Sequence, residues 1–535
     1  MIPLQVVAAA IQAASPTPSP VTVPGAGIFN SSLLLSIMVW APILVAGAIA
    51  VLPNPRGRFD TLMKQIAFFT NLGLLFILWV AYNQFENFLP SVQFEEKVPW
   101  LSGIGAVYHL GVDGPGMLML ILSGLVGLAS VLASFGIRER VRSYFCLLLL
   151  SEACVTGTIV AHDMFVLLLF WGAASIPLAL LVLGWGGPRR ESAAMRLTAY
   201  WGLGTIALLV AVLALYSATG KSTFDMDVVL KAALSPRAQL AIGAALVVAG
   251  ATRLPLFPFH GWVRDVYSEA PIGVAIVVAG SATRLGGYVM LRAFVGAEPL
   301  GAQLLAPLVA ALAAITVAYA GLVVLRSVDL RDAAAHLAMV PGGITALGLA
   351  ALTPLAIAGS VLSLFTGGLA AALIVGACAV LTDRAQSRSL YVLSGLAPRM
   401  PNLAWITVLA VLALLGVPLM ASFSAEAMTF FGAIKTQPVW VFAVALGLAT
   451  VAAGVALVVH RVLFGAPNPD APGVSDASLG EIWFLAILAG ALLWVGVFPG
   501  GPKLPGTDTP IFDPGIINTM AAGLTDIASP YSAKQ

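Results

Sequence analysis

Between residues 33 and 498 the chain repeats one unit, an apolar run followed by a short connection rich in Arg, Pro or Gly. A run of about 20 apolar residues is what an α-helix needs to cross the hydrocarbon of a bilayer. Lipid offers no water to an irregular backbone, so each run is predicted to be a helix. The approximate spans are 33–52, 62–83, 112–136, 143–161, 163–184, 194–217, 238–259, 271–295, 304–325, 333–352, 355–381, 404–432, 439–463 and 480–498. This is the pattern of an all-α polytopic membrane protein with about 14 transmembrane helices. The chain is 60% hydrophobic and 9% charged, against roughly 45–50% and 25% in soluble domains. An ordinary soluble enzyme, a nucleic-acid binder and a disordered regulator are excluded. Net charge is +2, so no strongly acidic or basic partner is implied.

Arginine falls on alternate connections: Arg56 and Arg58; Arg138, Arg140 and Arg142; Arg189, Arg190 and Arg196; Arg264; Arg326 and Arg331; Arg384, Arg388 and Arg399; Arg461. The positive-inside rule places these connections in the cytoplasm and both termini outside. Residues 1–31 combine a short apolar stretch, Leu4 to Ala14, with Ser-Pro-Thr-Pro-Ser-Pro and lack the basic start of a signal peptide. They read as an external N-terminal extension, and the Pro/Gly-rich residues 499–535 as an external tail. Cys146 and Cys154 lie two turns apart on one predicted helix, too far to bridge. With Cys378 they form no metal-ligand spacing, so metal and redox centres are not expected.

Two spans are interrupted. The seventh carries Arg253-Leu254-Pro255-Leu256-Phe257-Pro258 and the twelfth Gly416-Val417-Pro418. Proline removes a backbone donor and clashes with the carbonyl four residues back, so Pro255, Pro258 and Pro418 are expected to break their helices. The freed carbonyls are tolerated only inside protein or beside a wet cavity. Two such breaks in corresponding positions point to inverted repeats around an ion path; two simple proline kinks are the plainer alternative. Five ionisable residues sit in these apolar surroundings: Glu152, Arg253, Arg284, His336 and Glu426. A charge at mid-span costs at least about 2.5–3.5 kcal/mol. Each is therefore an ion-path candidate, unless it lies near a helix end and snorkels.

The residues resemble the antiporter-like membrane subunits of respiratory complex I. His109-Leu110-Gly111-Val112-Asp113-Gly114 is similar to the opening of that family's third helix. Phe170-Trp171-Gly172 through Pro177, then Gly184-Trp185-Gly186-Gly187-Pro188-Arg189-Arg190, resembles its fifth helix and following turn. Pro258-Phe259-His260-Gly261-Trp262-Val263-Arg264-Asp265, closing on Glu269-Ala270-Pro271, resembles its loop motif. Phe423-Ser424-Ala425-Glu426 and His460-Arg461-Val462-Leu463-Phe464-Gly465 match its twelfth and thirteenth helices. The blocks stand in family order over residues 32–465 and fit the M-type chain best.

The resemblance implies two inverted five-helix repeats, at 143–295 and 304–463, with discontinuous helices 7 and 12. Helices 1–3 (32–142) precede them and helix 14 (480–498) follows. It implies a place in the membrane arm of an NADH:quinone oxidoreductase or a relative such as a multisubunit cation/proton antiporter. Partners would be other membrane-arm subunits, including other antiporter-like chains, and the lipid bilayer, with no nucleic acid. The expected setting is a bacterial inner membrane. No nucleotide, quinone or redox motif is present, so NADH, FMN, Fe–S clusters and quinone are expected only in partner subunits. Residues 260–271, with His260, Trp262, Asp265 and Glu269, are expected to form an ordered cytoplasmic loop. Trp262 should be partly buried, and Asp265 paired or capping the next helix.

Several family sites are altered. The family's helix-five Glu is here Gly172, and its two lysines on helices seven and eight are Arg253 and Arg284. A usual helix-eleven His is Gly367; Glu426 keeps the family residue, and His336 resembles the family's helix-ten His. Lys can release its proton when buried, whereas Arg stays charged. The expected function is nominal proton translocation with the relay altered or lost. The alternatives are a non-conducting structural subunit and an antiporter subunit outside any redox enzyme. Glu152 could compensate by swinging toward Arg253 or could be a structural acid.

Overall fold

The structure, a computed structural model, describes residues 33–54, 57–86, 91–296, 299–466 and 475–497. The expected external extension and tail lie outside these residues. The helices are α1 Leu34–Val51, α2 Asp60–Gln84, α3 Gly114–Ala133, α4 Val141–Val160, α5 Met164–Trp185, α6 Arg190–Ala218, α7 Pro236–Arg253 and α8 Val263–Glu269. They continue as α9 Ile272–Val295, α10 Pro299–Arg326, α11 Leu330–Ala351, α12 Pro354–Arg384, α13 Pro401–Leu414, α14 Ala421–Ala433, α15 Pro438–Phe464 and α16 Leu479–Val497. Among the described residues, 12 are long and apolar enough to cross a membrane. The other four pair into two interrupted passages, α7 with α8 and α13 with α14. Connections with the arginine clusters share one face of the bundle, and the two interrupted passages cross it in opposite directions.

Local chemistry sets the helix starts. Asp113 Oδ1 accepts from Gly116 N at 2.9 Å, Asp163 Oδ1 from Phe165 N at 2.8 Å, and Thr353 Oγ1 from Ala356 N at 3.2 Å. Each satisfies amides that the first turn leaves open. Proline follows in the first turn of α3, α7, α12, α13 and α15, where its missing donor costs nothing. The most apolar windows of α9, α11 and α12 are entirely buried, so these three helices form the core. α2 and α6 instead carry outward apolar side chains, including Phe69, Phe76, Trp79, Ile206 and Val210. Such residues belong against lipid tails.

One element departs from the expected all-helical pattern. β1 Gln93–Leu101 and β2 Ala106–Val112 form an antiparallel hairpin with Lys97 opposite His109. The third span was expected from residue 112, but β2 reaches Val112 and the helix begins only at Gly114, set by the Asp113 cap. The hairpin covers the face opposite the arginine clusters: His109 O accepts from His162 N at 2.9 Å, and Gly105 O from Phe224 N at 3.4 Å. The expected loop 260–271 is also partly a helix, α8, because residues 263–269 carry no proline or glycine to stop one. The seventh span was expected to run to 259, but α7 ends at Arg253, ahead of Pro255.

Candidate functional site

Arg253 is the last residue of α7, fully buried at the break. Its Nη2 donates to the carbonyl of Trp171 and, at 3.0 Å, to Ser175 Oγ. The guanidinium carbon lies 4.2 Å from the Trp171 ring centre and 4.4 Å from that of Trp201. The negative faces of two indoles thus hold the cation. Among the described residues no carboxylate pairs with it, and its Nε and Nη1 have no hydrogen-bond partner. At the neighbouring Gly172 an added Cβ would meet only Thr205 Cγ2, at 3.3 Å.

Arg284 is likewise fully buried, just after the π-helical turn Val278–Ala282 of α9. Nη2 donates to Ala338 O at 3.2 Å and Ala279 O at 3.4 Å, while Nε and Nη1 find no partner. A π-turn offers carbonyls out of helical register, which is why a guanidinium can bond its own helix here.

In the second interrupted passage α13 ends at Leu414 and α14 starts at Ala421, with Pro418 between. Gly416 has φ +55°, and a Cβ there would lie 2.3 Å from Glu426 Oε2. The position needs glycine twice over: for its left-handed backbone and to let the Glu426 carboxyl approach the break. No ion pair to Glu426 occurs among the described residues.

His336 lies on α11 with Nδ1 2.9 Å from Asp332 O and 3.2 Å from Asp332 Oδ1. Asp332 also pairs with Arg264 at 3.2 Å. Tyr319 links His336 to the first break: its ring centre is 5.7 Å from that of His336 and 4.6 Å from that of His260. Trp262 is fully buried rather than partly so, donating to Thr252 O at 3.0 Å and meeting Trp201 edge-on at 5.4 Å. Asp265 pairs with Arg196. Glu269 accepts from Arg189 N at 3.1 Å and pairs with Arg189 at 3.2 Å and Arg388 at 3.3 Å.

The family model "NADH:quinone oxidoreductase/Mrp antiporter, TM" matches residues 161–452, more than half of the chain and both breaks. The chain belongs to this family. Among relatives, it is 31% identical over 458 residues to NAD(P)H-quinone oxidoreductase chain 4 1 of Synechococcus sp. (strain JA-2-3B'a(2-13)), covering 84% of this chain and 85% of that one. It is 26% identical over 470 residues to NADH-quinone oxidoreductase subunit M of Rickettsia prowazekii (strain Madrid E), covering 87% and 95%. In fold it is similar to a chain of respiratory complex I from Thermus thermophilus with bound NADH, with TM-score 0.80 and 24% identity over 92% of this chain and 99% of that one. It is also similar to a chain of the Mrp complex from Dietzia sp. DQ12-45-1b, with TM-score 0.79 and 19% identity over 94% and 98%.

As a member of this family the chain is a multi-pass membrane protein. At Gly367 an added Cβ would lie 2.4 Å from Pro341 Cβ, so α12 rests directly on α11 and leaves no room for an imidazole. Glu152 does not approach Arg253. It turns to the opposite side of α4, toward α1, α2 and α3. The indole pair around Arg253 went unread in the sequence because Trp201 comes from α6 and belongs to no motif. Tyr319 was missed for the same reason. No group of three or more His, Cys, Asp or Glu able to hold a metal occurs among the described residues.

Proposed function

We propose that this chain is an M-type antiporter-like subunit in the membrane arm of a complex-I-type NADH:quinone oxidoreductase, and that the family's usual proton relay is altered or lost in it. The observation that carries the second half is Arg253, a buried cation held by two indole faces, the Trp171 carbonyl and the Ser175 hydroxyl, with no carboxylate paired to it among the described residues. A relay needs a group that releases its proton, and a guanidinium does not. Arg284, on α9, is a second buried guanidinium, held by the carbonyls of Ala338 and Ala279 and paired with no carboxylate among the described residues. Gly172 supplies nothing to titrate.

The subunit lies in a bacterial plasma membrane with the arginine-rich face in the cytoplasm and both termini outside. Residues 143–295 and 304–463 are its two inverted five-helix repeats, a reading supported by the opposite directions of the interrupted passages. Its partners are other membrane-arm subunits; NADH, FMN, Fe–S clusters and quinone are handled by those partners. Replacing Glu426 by Gln in the intact complex should leave the proton stoichiometry unchanged, whereas deleting a core helix such as α12 should prevent assembly. Loss of pumping in Glu426→Gln would overturn the lost relay.

The fold likeness to a chain of an Mrp complex supports a second reading, a cation/proton antiporter subunit outside any redox enzyme. Copurification decides between them: hydrophilic flavin and Fe–S chains accompany the subunit only in the first.

A further inference from the structure

On the side of α4 away from Arg253, a cavity of about 20 Å³ lies among α1, α2, α3 and α4. Its lining includes Met38, Pro42, Asn71, Ser123, Glu152 and Thr156. Asn71, Ser123 and Glu152 sit near the middle of their helices, so the cavity is at mid-membrane depth. Glu152 is 6% exposed, and neither of its carboxyl oxygens has a hydrogen-bond partner.

The polar groups around it are one amide and two hydroxyls. Asn71 Nδ2 donates one of its two hydrogens to Ala67 O at 3.2 Å, and its amide oxygen accepts no hydrogen bond among the described residues. A Cβ built on Gly127 would lie 2.9 Å from that oxygen and 3.3 Å from Glu152 Oε1, so the two acceptors converge on one spot. Helical hydroxyls in a bilayer normally donate back to their own helix, as Thr158 does to Cys154 O at 2.8 Å and Ser151 to Leu148 O at 2.7 Å. No such bond is present for Ser123 or Thr156 among the described residues. Facing acceptors in hydrocarbon repel unless a donor hydrogen, a shared proton or a cation stands between them.

We propose that Glu152, Asn71, Ser123 and Thr156 form a binding site for one small monovalent cation, a proton or Na⁺, separate from the interrupted helices. Two carboxyl oxygens, an amide oxygen and two hydroxyls are hard ligands suited to such an ion. The cavity exceeds the roughly 10–15 Å³ that one water needs, so Na⁺ or a protonated acid with its water fits and a larger organic cation does not. A single carboxylate balances a single charge; a divalent ion would leave an excess in low dielectric. The site does not depend on whether Arg253 conducts.

The test uses the intact complex in detergent, wild type and Glu152→Gln, with NaCl added against choline chloride at equal ionic strength. Proton release is read with an indicator dye, and the protonated carboxyl band by infrared difference spectroscopy across pH. If the ion is Na⁺, NaCl releases a proton from wild type and none from Glu152→Gln. If it is the proton alone, NaCl releases nothing, but a carboxyl band titrates in wild type and is missing in Glu152→Gln. The double change Ser123→Ala, Thr156→Val keeps the acid and should weaken Na⁺-driven proton release roughly tenfold or, for the proton alone, move the pH midpoint of the carboxyl band. That arm also covers the case in which Glu152→Gln fails to assemble. The proposal is overturned if no carboxyl band titrates and Na⁺ displaces nothing, or if Glu152→Gln or the double change leaves these signals as in wild type.

Discussion

The guanidinium of Arg253 stands 4.2 Å from the ring of Trp171, the residue immediately before Gly172. This segment of α5 therefore meets the cation with an indole face. A desolvated cation–π contact is worth about 2 kcal/mol or more. Trp201→Leu removes one of the two ring faces and also leaves a cavity where the buried indole stood. It should lower stability by about 2 kcal/mol, read as thermal unfolding of the purified complex. A melting temperature equal to wild type would show that the Trp201 ring contributes nothing to holding Arg253. Trp201→Phe, which keeps a π face, should recover part of the loss.

Gly416 and Gly202 make a matched pair. Gly416 has φ +55° and the Glu426 carboxyl in the path of any Cβ, whereas Gly202, inside α6, has nothing within 4 Å of that position. Left-handed backbone costs an L-residue about 1–2 kcal/mol before any clash. Gly416→Ala should therefore destabilise by at least that amount, and Gly202→Ala should be neutral or mildly stabilising. Equal melting shifts for the two would remove the argument that the break was built around Glu426.

These cases show what the sequence could tell. Prolines and intramembrane charges act through local rules, so Pro255, Pro418, Arg253 and Glu426 could be singled out one by one. Gly172 and Gly367 were recognisable only against the family motif. Partners contributed from a distant helix left no local trace: Trp201 around Arg253, Tyr319 between two histidines, and the α1–α3 wall facing Glu152. The direction of Glu152 was illegible for a further reason. A helix apolar on nearly every side has no polar stripe to mark its inward face.

The hairpin face should respond to pH. His109 is buried, with Nε2 2.8 Å from Glu95 Oε1 and Nδ1 3.3 Å from Asp225 Oδ2; Asp225 also pairs with Lys97 at 2.5 Å. Burial works against the imidazolium, but Asp225 and then Glu95 outweigh it and raise its pKa above the usual histidine value. Burial likewise opposes ionised Asp225, yet hydrogen bonds from His109 and Lys97 hold it well below the carboxylate range. Nearby His162 is kept neutral by burial and by the charge of Arg292. The His109 contribution is complete below the unfolded pKa of about 6.5 and is lost as pH rises through the raised folded value. The Asp225 contribution is present above about pH 4 and is lost on acidification. Stability should therefore peak between these limits and fall on the alkaline side. His109→Gln should flatten that fall in melts taken across pH, and an unchanged alkaline limb in the variant would contradict it.

Glu269 closes the arginine-rich face by joining three segments: the turn after α5 through Arg189, its own helix α8, and the connection after α12 through Arg388. Its side chain is 2% exposed, while those of Arg189 and Arg388 are 61% and 32% exposed. That asymmetry decides the expected costs. Removing Arg189 leaves a buried carboxylate that still has Arg388, and the lost partner was largely solvated already. Exposed pairs of this kind are worth about 0–1 kcal/mol, so Arg189→Ala should have a small effect. Glu269→Gln keeps the shape but removes the charge on which both guanidinia converge, at a cost of about 1–3 kcal/mol. Because the two residues share one network, their effects should not add; a double-mutant cycle should give a coupling of about 0.5 kcal/mol or more. Full additivity, or a Glu269→Gln effect no larger than that of Arg189→Ala, would show that the three segments are held together by packing rather than by this carboxylate.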